Sequence, residues 1–329
     1  MITKRNLGSG IELIMEKIPY VRSVSVGIWV KAGSVNENEK NSGISHFIEH
    51  MLFKGTEKRS ARDIAGDIDK IGGQINAFTG KESTCYYVKV LDTHVEDGIE
   101  ILMDMLFNSK FDIEEMEKEK AVIYEEINMY EDSPEDTVHD MLSEVIFDGH
   151  PLGKPIIGTY DTISAFKRNN ILDYIQENYG INNLVISVSG NFDEEKLIDT
   201  LDKNISKYLW ENQILIPEIP VYKPGYKMKK KDIEQAHICM GIKGIPLDNE
   251  EYYALSILSN IMGGSMSSRL FQRIREEKGL AYSVYSYTTS YVKDGVFAIY
   301  AGVNPKQLKE ASKLMVEEVN LLREKGVSE

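Results

Sequence analysis

Cysteine is scarce: Cys85 and Cys239 are the only two among 329 residues, and they lie far apart in the chain. That excludes a disulfide framework, leaves too few thiols for a closed cysteine-rich metal site, and suits a reducing compartment. Positive charge is also short. Lysine and arginine number 38 against 52 aspartates and glutamates, for a formal net charge of −14. Nucleic acid, whose phosphates would be repelled, is a poor partner for such a chain. A basic peptide would be steered toward it, although an acidic surface also serves plain solubility. No run of residues approaches the ~20 apolar positions of a membrane span. The first residues, MITKRNLGSGIELIMEKI, alternate polar and apolar around Ser9-Gly10 and lack the apolar core and cleavage site of a secretory signal. Gly263-Gly264 has no P-loop lysine behind it, so it is not a phosphate loop. The expectation is a soluble cytoplasmic protein with neither membrane nor nucleic acid as partner.

What is present is an ordered alternation of strands and helices. Residues 2 to 18 read as a hairpin, and Val24, Val26, Ile28 and Val30 alternate as a strand leading to Gly33-Ser34. Ser42 offers an N-cap to a helix through residue 53, and Ser60 caps another that Gly72-Gly73 ends. Residues 74 to 91, rich in Phe, Thr, Tyr and Val, read as two strands about Gly80-Lys81. Further helices are expected at 95–107, 111–130, 134–147, 162–178 and 193–205, with a strand at 184–189. His139 is expected on a polar helix surface, and His150 in a loop with no partner at ligand spacing. A linker is expected around Pro217, Pro220, Pro224 and Gly225. Beyond it come a strand at 236–243, helices at 250–262 and 268–276, two strands within 280–303 and a helix at 306–323. Strand-strand-helix thus recurs at 74–107 and 282–323, which suggests a duplicated domain of α+β class: two two-layer units, each a mostly antiparallel sheet packed with helices. The domains are placed at 1–212 and 222–329, and the second copy lacks the counterpart of the elements at 111–189. It is therefore expected to be incomplete by roughly 90 residues, given a usual domain size. An uncovered sheet edge of that kind favours self-association.

The chemistry concentrates in His46-Phe47-Ile48-Glu49-His50. Histidines four apart on a helix stand one turn above each other and can close on one metal ion. Glu49 lies beside that pair, where it can act on a water at the metal. The order is H-x-x-E-H, the reverse of the commoner zinc-protease motif. Ile44, Phe47, Ile48, Met51, Leu52 and Phe53 make the helix apolar over most of its circumference, so the polar trio belongs to a buried helix and not to a solvated face. A catalytic zinc site takes three protein ligands and keeps a position for water, so a third ligand is expected further along. The acidic helix from Phe111 to Tyr130 holds many candidate glutamates.

Several stretches together resemble the M16 family of zinc metallopeptidases, the inverzincins that include pitrilysin, insulin-degrading enzyme and the mitochondrial processing peptidase. They are GISHFIEHMLFKGT at 43–56, GGQINAFTGKESTCYY at 72–87, the EKAVIYEEI run, HPLGKPIIGT at 150–159 and SSRLFQRIREEKGLAYSV at 267–284. The nearest likeness is to the bacterial, processing-peptidase-like branch. The resemblance implies a LuxS/M16-like metallohydrolase fold, one zinc ion per chain, and His46, His50 and Glu126 as its ligands. Glu126 lies 76 residues after His50 in Val122-Ile123-Tyr124-Glu125-Glu126. Glu119, two helical turns earlier on the same face, would be an auxiliary carboxylate. Glu49 would be the general base of peptide hydrolysis, and Arg275 and Tyr282 would hold substrate and oxyanion. The Asn76-Ala77-Phe78-Thr79 strand would pair with an extended substrate, which gives it more than the part of an ordinary hairpin. The implied substrate is an oligopeptide or unfolded polypeptide, and the implied assembly is a homodimer or a pair with a related M16 subunit. The competing class is a non-catalytic M16 subunit that only assembles with an active partner; here every zinc-site position is filled.

Overall fold

The computed structural model describes residues 2–205, 210–212 and 218–327. Pro217 of the expected linker falls outside them. By its internal contacts the chain divides into two compact units, Met1–Ile127 with Pro155–Ile216, and Asn128–Lys154 with Pro217–Glu329.

The first unit is built on a six-stranded sheet: β1 (Ile2–Asn6), β2 (Glu12–Lys17), β3 (Ser23–Val30), β4 (Gln74–Thr79), β5 (Thr84–Leu91) and β6 (Leu184–Gly190), in the order β1-β2-β6-β3-β5-β4. All pairs are antiparallel except β2 with β6. Val24, Val26, Ile28 and Val30 do alternate onto one face, where Tyr86, Val88 and Val90 of β5 and Ile186 of β6 join them in the core. The helices α1 (Ile44–Leu52), α2 (Ala61–Lys70), α3 (Val95–Asn108), α6 (Tyr160–Ala165), α7 (Arg168–Asn178) and α8 (Glu194–Ile205) belong to this unit, as does α4 (Ile113–Asp132) up to Ile127. On α4 the buried positions Met116, Glu119, Lys120, Ile123 and Ile127 recur at helical spacing and turn one face inward.

The second unit holds α5 (Pro134–Ile146), the sheet β7 (Ala236–Lys243), β8 (Ala281–Ser290) and β9 (Gly295–Val303) in the order β7-β9-β8, and the helices α9 (Tyr252–Ser259) and α10 (Leu308–Lys325). Its core gathers Met262, Leu270, Ile274, Phe297, Ile299, Ala301, Ala311 and Met315. The α+β class with two sheets and attendant helices is therefore as the pattern implied.

Three local expectations change. The helix expected at 162–178 is two helices: Phe166 leaves the helical region at ψ 130°, and Lys167, extended, donates its N–H to Asn170 Oδ1 to start α7. The helices expected at 250–262 and 268–276 widen into looser turns at Asn260–Gly264 and Phe271–Glu276. His139 is half-buried: its ring nitrogens lie 2.7 and 3.0 Å from the Tyr287 and Tyr285 hydroxyls, on the face of α5 where β8 and β9 supply the aromatic neighbours Tyr285, Tyr287 and Tyr300.

Candidate metal centre

Helix α1 carries the H-x-x-E-H sequence, and its entry is held from outside the helix. Gly43, not Ser42, is its N-cap, at φ 91°. A Cβ on Gly43 would lie 2.7 Å from the Ile157 carbonyl oxygen and 2.8 Å from Gly158 Cα, so the left-handed turn and the close approach of the 150–159 segment both require glycine. The N–H groups that a serine cap would have satisfied are taken by a buried carboxylate. Glu37 Oε2 accepts from Gly43 N at 2.6 Å and Oε1 from Ser45 N at 2.9 Å. Burial pushes the Glu37 carboxyl up to about 7, against the two backbone hydrogen bonds that draw it down. Ser45 adds a hydroxyl contact of 2.8 Å to Tyr174 on α7. Pinned at this end, α1 buries Ile44, Phe47, Ile48, Met51 and Leu52 and turns its histidines toward α4.

His46, His50 and Glu126 converge there, with one ligand atom from each lying within 4.8 Å of the others. Glu126 Oε2 is 3.8 Å from His46 Nε2 and 3.7 Å from His50 Nε2. These separations are too long for hydrogen bonds and close to the roughly 3.3 Å between ligands that share a tetrahedral zinc at ~2.05 Å. Burial, helped by the neighbouring His50, lowers His46 to about 4, so its imidazole is neutral at pH 7 and offers a lone pair. Two imidazole nitrogens and a carboxylate oxygen form a catalytic-type zinc donor set, so the residues fit the metal that the motif implies. Burial raises the Glu126 carboxyl, His50 draws it down and Glu119 adds to the rise.

Around the three candidates stand two further carboxylates with different partners. Glu119 Oε1 is 2.8 Å from His50 Nδ1, and Oε2 is 2.5 Å from Lys54 Nζ. Burial alone would raise Glu119, but the hydrogen bonds with His50 and Lys54 outweigh it and hold the group below its ordinary value. Glu49 is not part of the ligand cluster; it accepts a hydrogen bond from Thr79 Oγ1 on β4. Burial raises its carboxyl, opposed by that hydrogen bond and by His50. A carboxylate with a raised affinity for protons, beside a metal donor set, is suited to shuttle one.

β4 is an edge strand, paired only with β5 among the described residues. Asn76 and Phe78 are exposed, whereas Ala77 and Thr79 are half-buried. The Phe78 ring stands edge-on to Trp29 at 5.6 Å. In the second unit the Arg275 guanidinium lies 4.7 Å from the Tyr282 ring centroid and 4.6 Å from that of Phe271, and the Tyr282 side chain is open to solvent. The seven-residue spacing thus becomes a contact between the two groups.

Sequence reasoning missed Glu37 and Lys54. Glu37 sits in an irregular loop where no periodicity marks it. Lys54 lies inside the GISHFIEHMLFKGT stretch, one turn after His50, and that spacing was the available signal. Cys85 and Cys239 are both free thiols. Among the described residues no helix is long and apolar enough to cross a membrane.

Comparison with known proteins gives a consistent pattern. The family model described as Insulinase (Peptidase family M16) matches residues 12–160, and that described as Peptidase M16 inactive domain matches residues 165–329. A Bacillus subtilis protein named "Uncharacterized zinc protease YmxG" is 45% identical over 328 residues, an alignment covering 100% of this chain and 80% of that protein. A Streptomyces coelicolor protein named "Uncharacterized zinc protease SCO5738" is 38% identical over 336 residues, covering 100% and 73% respectively. Among solved structures, a peptidase M16 inactive domain from Pseudomonas fluorescens superposes with a TM-score of 0.94 at 17% identity, covering all of this chain and 80% of that one. A protease from Helicobacter pylori superposes with a TM-score of 0.89 at 22% identity, covering 100% and 81%. At these identities the structural likeness speaks for the fold alone.

Proposed function

Because this chain belongs to the M16 peptidase family, we propose that it is a zinc-dependent endopeptidase whose metal is held by His46, His50 and Glu126 and whose general base is Glu49. The observation that carries this reading is the convergence of three donor atoms within 4.8 Å beside a carboxylate that does not join them. The two roles a hydrolytic zinc site needs, ligand and base, thus fall to different side chains.

When bound, one zinc ion per chain supplies Lewis-acid polarisation of the scissile carbonyl and lowers the pKa of water from ~15.7 toward ~7. The residues do the rest. His46 and His50 present ring nitrogens from successive turns of α1. Glu119 accepts the Nδ1 proton of His50 and so keeps Nε2 free. Glu49 takes the proton of the attacking water and returns it to the leaving amine. β4 lies at the sheet edge, where an extended peptide adds as a strand, with Asn76, Ala77, Phe78 and Thr79 as the pairing residues. Arg275 and Tyr282 hold the substrate and the oxyanion, a role carried over from the family resemblance. The substrate class is oligopeptides or unfolded polypeptides, and the working assembly is a homodimer or a pair with a related M16 subunit.

The test separates metal from base. Glu49→Gln is expected to keep zinc, measured by elemental analysis, and to lose cleavage of a peptide library read by N-terminal sequencing of products. Glu126→Gln is expected to lose zinc. Equal zinc loss in both variants would make Glu49 a ligand and overturn the assignment. Full zinc occupancy with no cleavage by the wild type, alone or with a related subunit, would favour the non-catalytic class.

A further inference from the structure

Glu119 has a second partner that zinc ligation does not require. One oxygen faces His50 Nδ1 at 2.8 Å, and the other lies 2.5 Å from Lys54 Nζ. Glu119 is only 4% exposed. A carboxylate so enclosed is costly unless it is paired on both oxygens, and removing one partner leaves an uncompensated buried charge. The contacts therefore run in a line from Lys54 through Glu119 to His50, ending at the ring whose Nε2 is 3.7 Å from Glu126. Lys54 is placed for this by α1 itself: it follows the C-cap Phe53, and its N–H reaches back to the Met51 carbonyl in the last turn.

We propose that Lys54 is a positioning residue of the zinc site. It fixes the Glu119 carboxylate so that His50 keeps its proton on Nδ1 and presents the Nε2 lone pair to the metal. The inference rests on the reading of His46, His50 and Glu126 as zinc ligands. Glu119 could otherwise swing away from His50 and leave the imidazole free to rotate or change tautomer, and outer-shell partners of this kind govern metal affinity.

Zinc affinity, measured on the full chain by competition with a chromophoric chelator, tests it without reference to catalysis. Lys54→Met is expected to weaken zinc binding about tenfold, within the range for outer-shell substitutions. Lys54→Arg, which retains the charge and the donors, is expected to recover most of that loss. In a Glu119→Gln background, Lys54→Met is expected to add nothing, because the relay is already cut. The melting temperature of each metal-free variant is followed in parallel, and Lys54→Gln repeats the comparison should the methionine variant not fold. Wild-type zinc affinity in Lys54→Met, or a further full loss in the Glu119→Gln background, would overturn the relay while leaving the zinc site standing. A wild-type chain that takes up no zinc would overturn the site and the relay with it.

Discussion

The Thr79 hydroxyl donates to Glu49 Oε2, so the last residue of the edge strand β4 is hydrogen-bonded to the proposed general base. Strand and base are thereby coupled: the element expected to align a peptide also orients the carboxylate that must meet its water. Thr79→Val is expected to lower turnover about tenfold, a fraction of the ~10²–10⁴ that a general base contributes outright, with little change in KM or zinc content. Thr79→Ser keeps the hydroxyl and is expected to stay near wild type. Steady-state kinetics on a quenched fluorescent peptide checks both, and equal activity of the valine and serine variants would remove the coupling.

Glu37 makes stability depend on pH in a defined direction. Its carboxyl is raised from 4.5 to about 7 in the folded chain, so between those values the folded state binds more protons than the unfolded one. Its contribution is fully present below pH ~4.5 and is lost as pH rises through ~7. With the metal chelated, Glu37→Gln is expected to flatten this part of the profile of melting temperature against pH. An unchanged slope would mean that Glu37 titrates normally.

The entry to α1 tolerates no side chain at its cap. Gly43 combines φ 91° with a Cβ position 2.7 Å from a carbonyl oxygen, so Gly43→Ala meets both left-handed strain and a backbone clash. A loss of at least ~2 kcal/mol in urea denaturation is expected. Because the clash sits three residues before His46, weakened zinc retention should accompany it.

Arg275→Ala and Tyr282→Phe are expected to impair peptide cleavage without altering zinc content, since these groups are assigned to substrate and oxyanion. Loss of one oxyanion donor typically costs ~10²–10³ in turnover. The Arg275 guanidinium rests on the Tyr282 ring at 4.7 Å, so the two substitutions should be non-additive. Wild-type kinetics in both variants of an otherwise active enzyme would sink the assignment.

What the sequence determined by itself was whatever covalent geometry repeats over a few residues. Histidines four apart, with a glutamate between them, share a face on any helix, and Val24 to Val30 alternate across any strand; no distant contact is needed for either. The family resemblance singled out Glu126 among the many acids of α4. In the structure Glu119 is buried on the face of that helix that carries Met116, Ile123 and Ile127, and Glu126 is half-buried. Tertiary structure alone decided the groups that come from elsewhere in the chain. Glu37, in place of Ser42, caps α1 because the left-handed turn at Gly43 aims its free N–H groups at a buried loop carboxylate. Helix 162–178 breaks because Phe166 joins the core and its backbone turns extended to do so. Thr79 reaches Glu49, and Lys54 reaches Glu119, across 30 and 65 residues of chain (79 − 49 and 119 − 54). Such pairs are selected by the packing of sheet against helix, and local spacing carries no record of them.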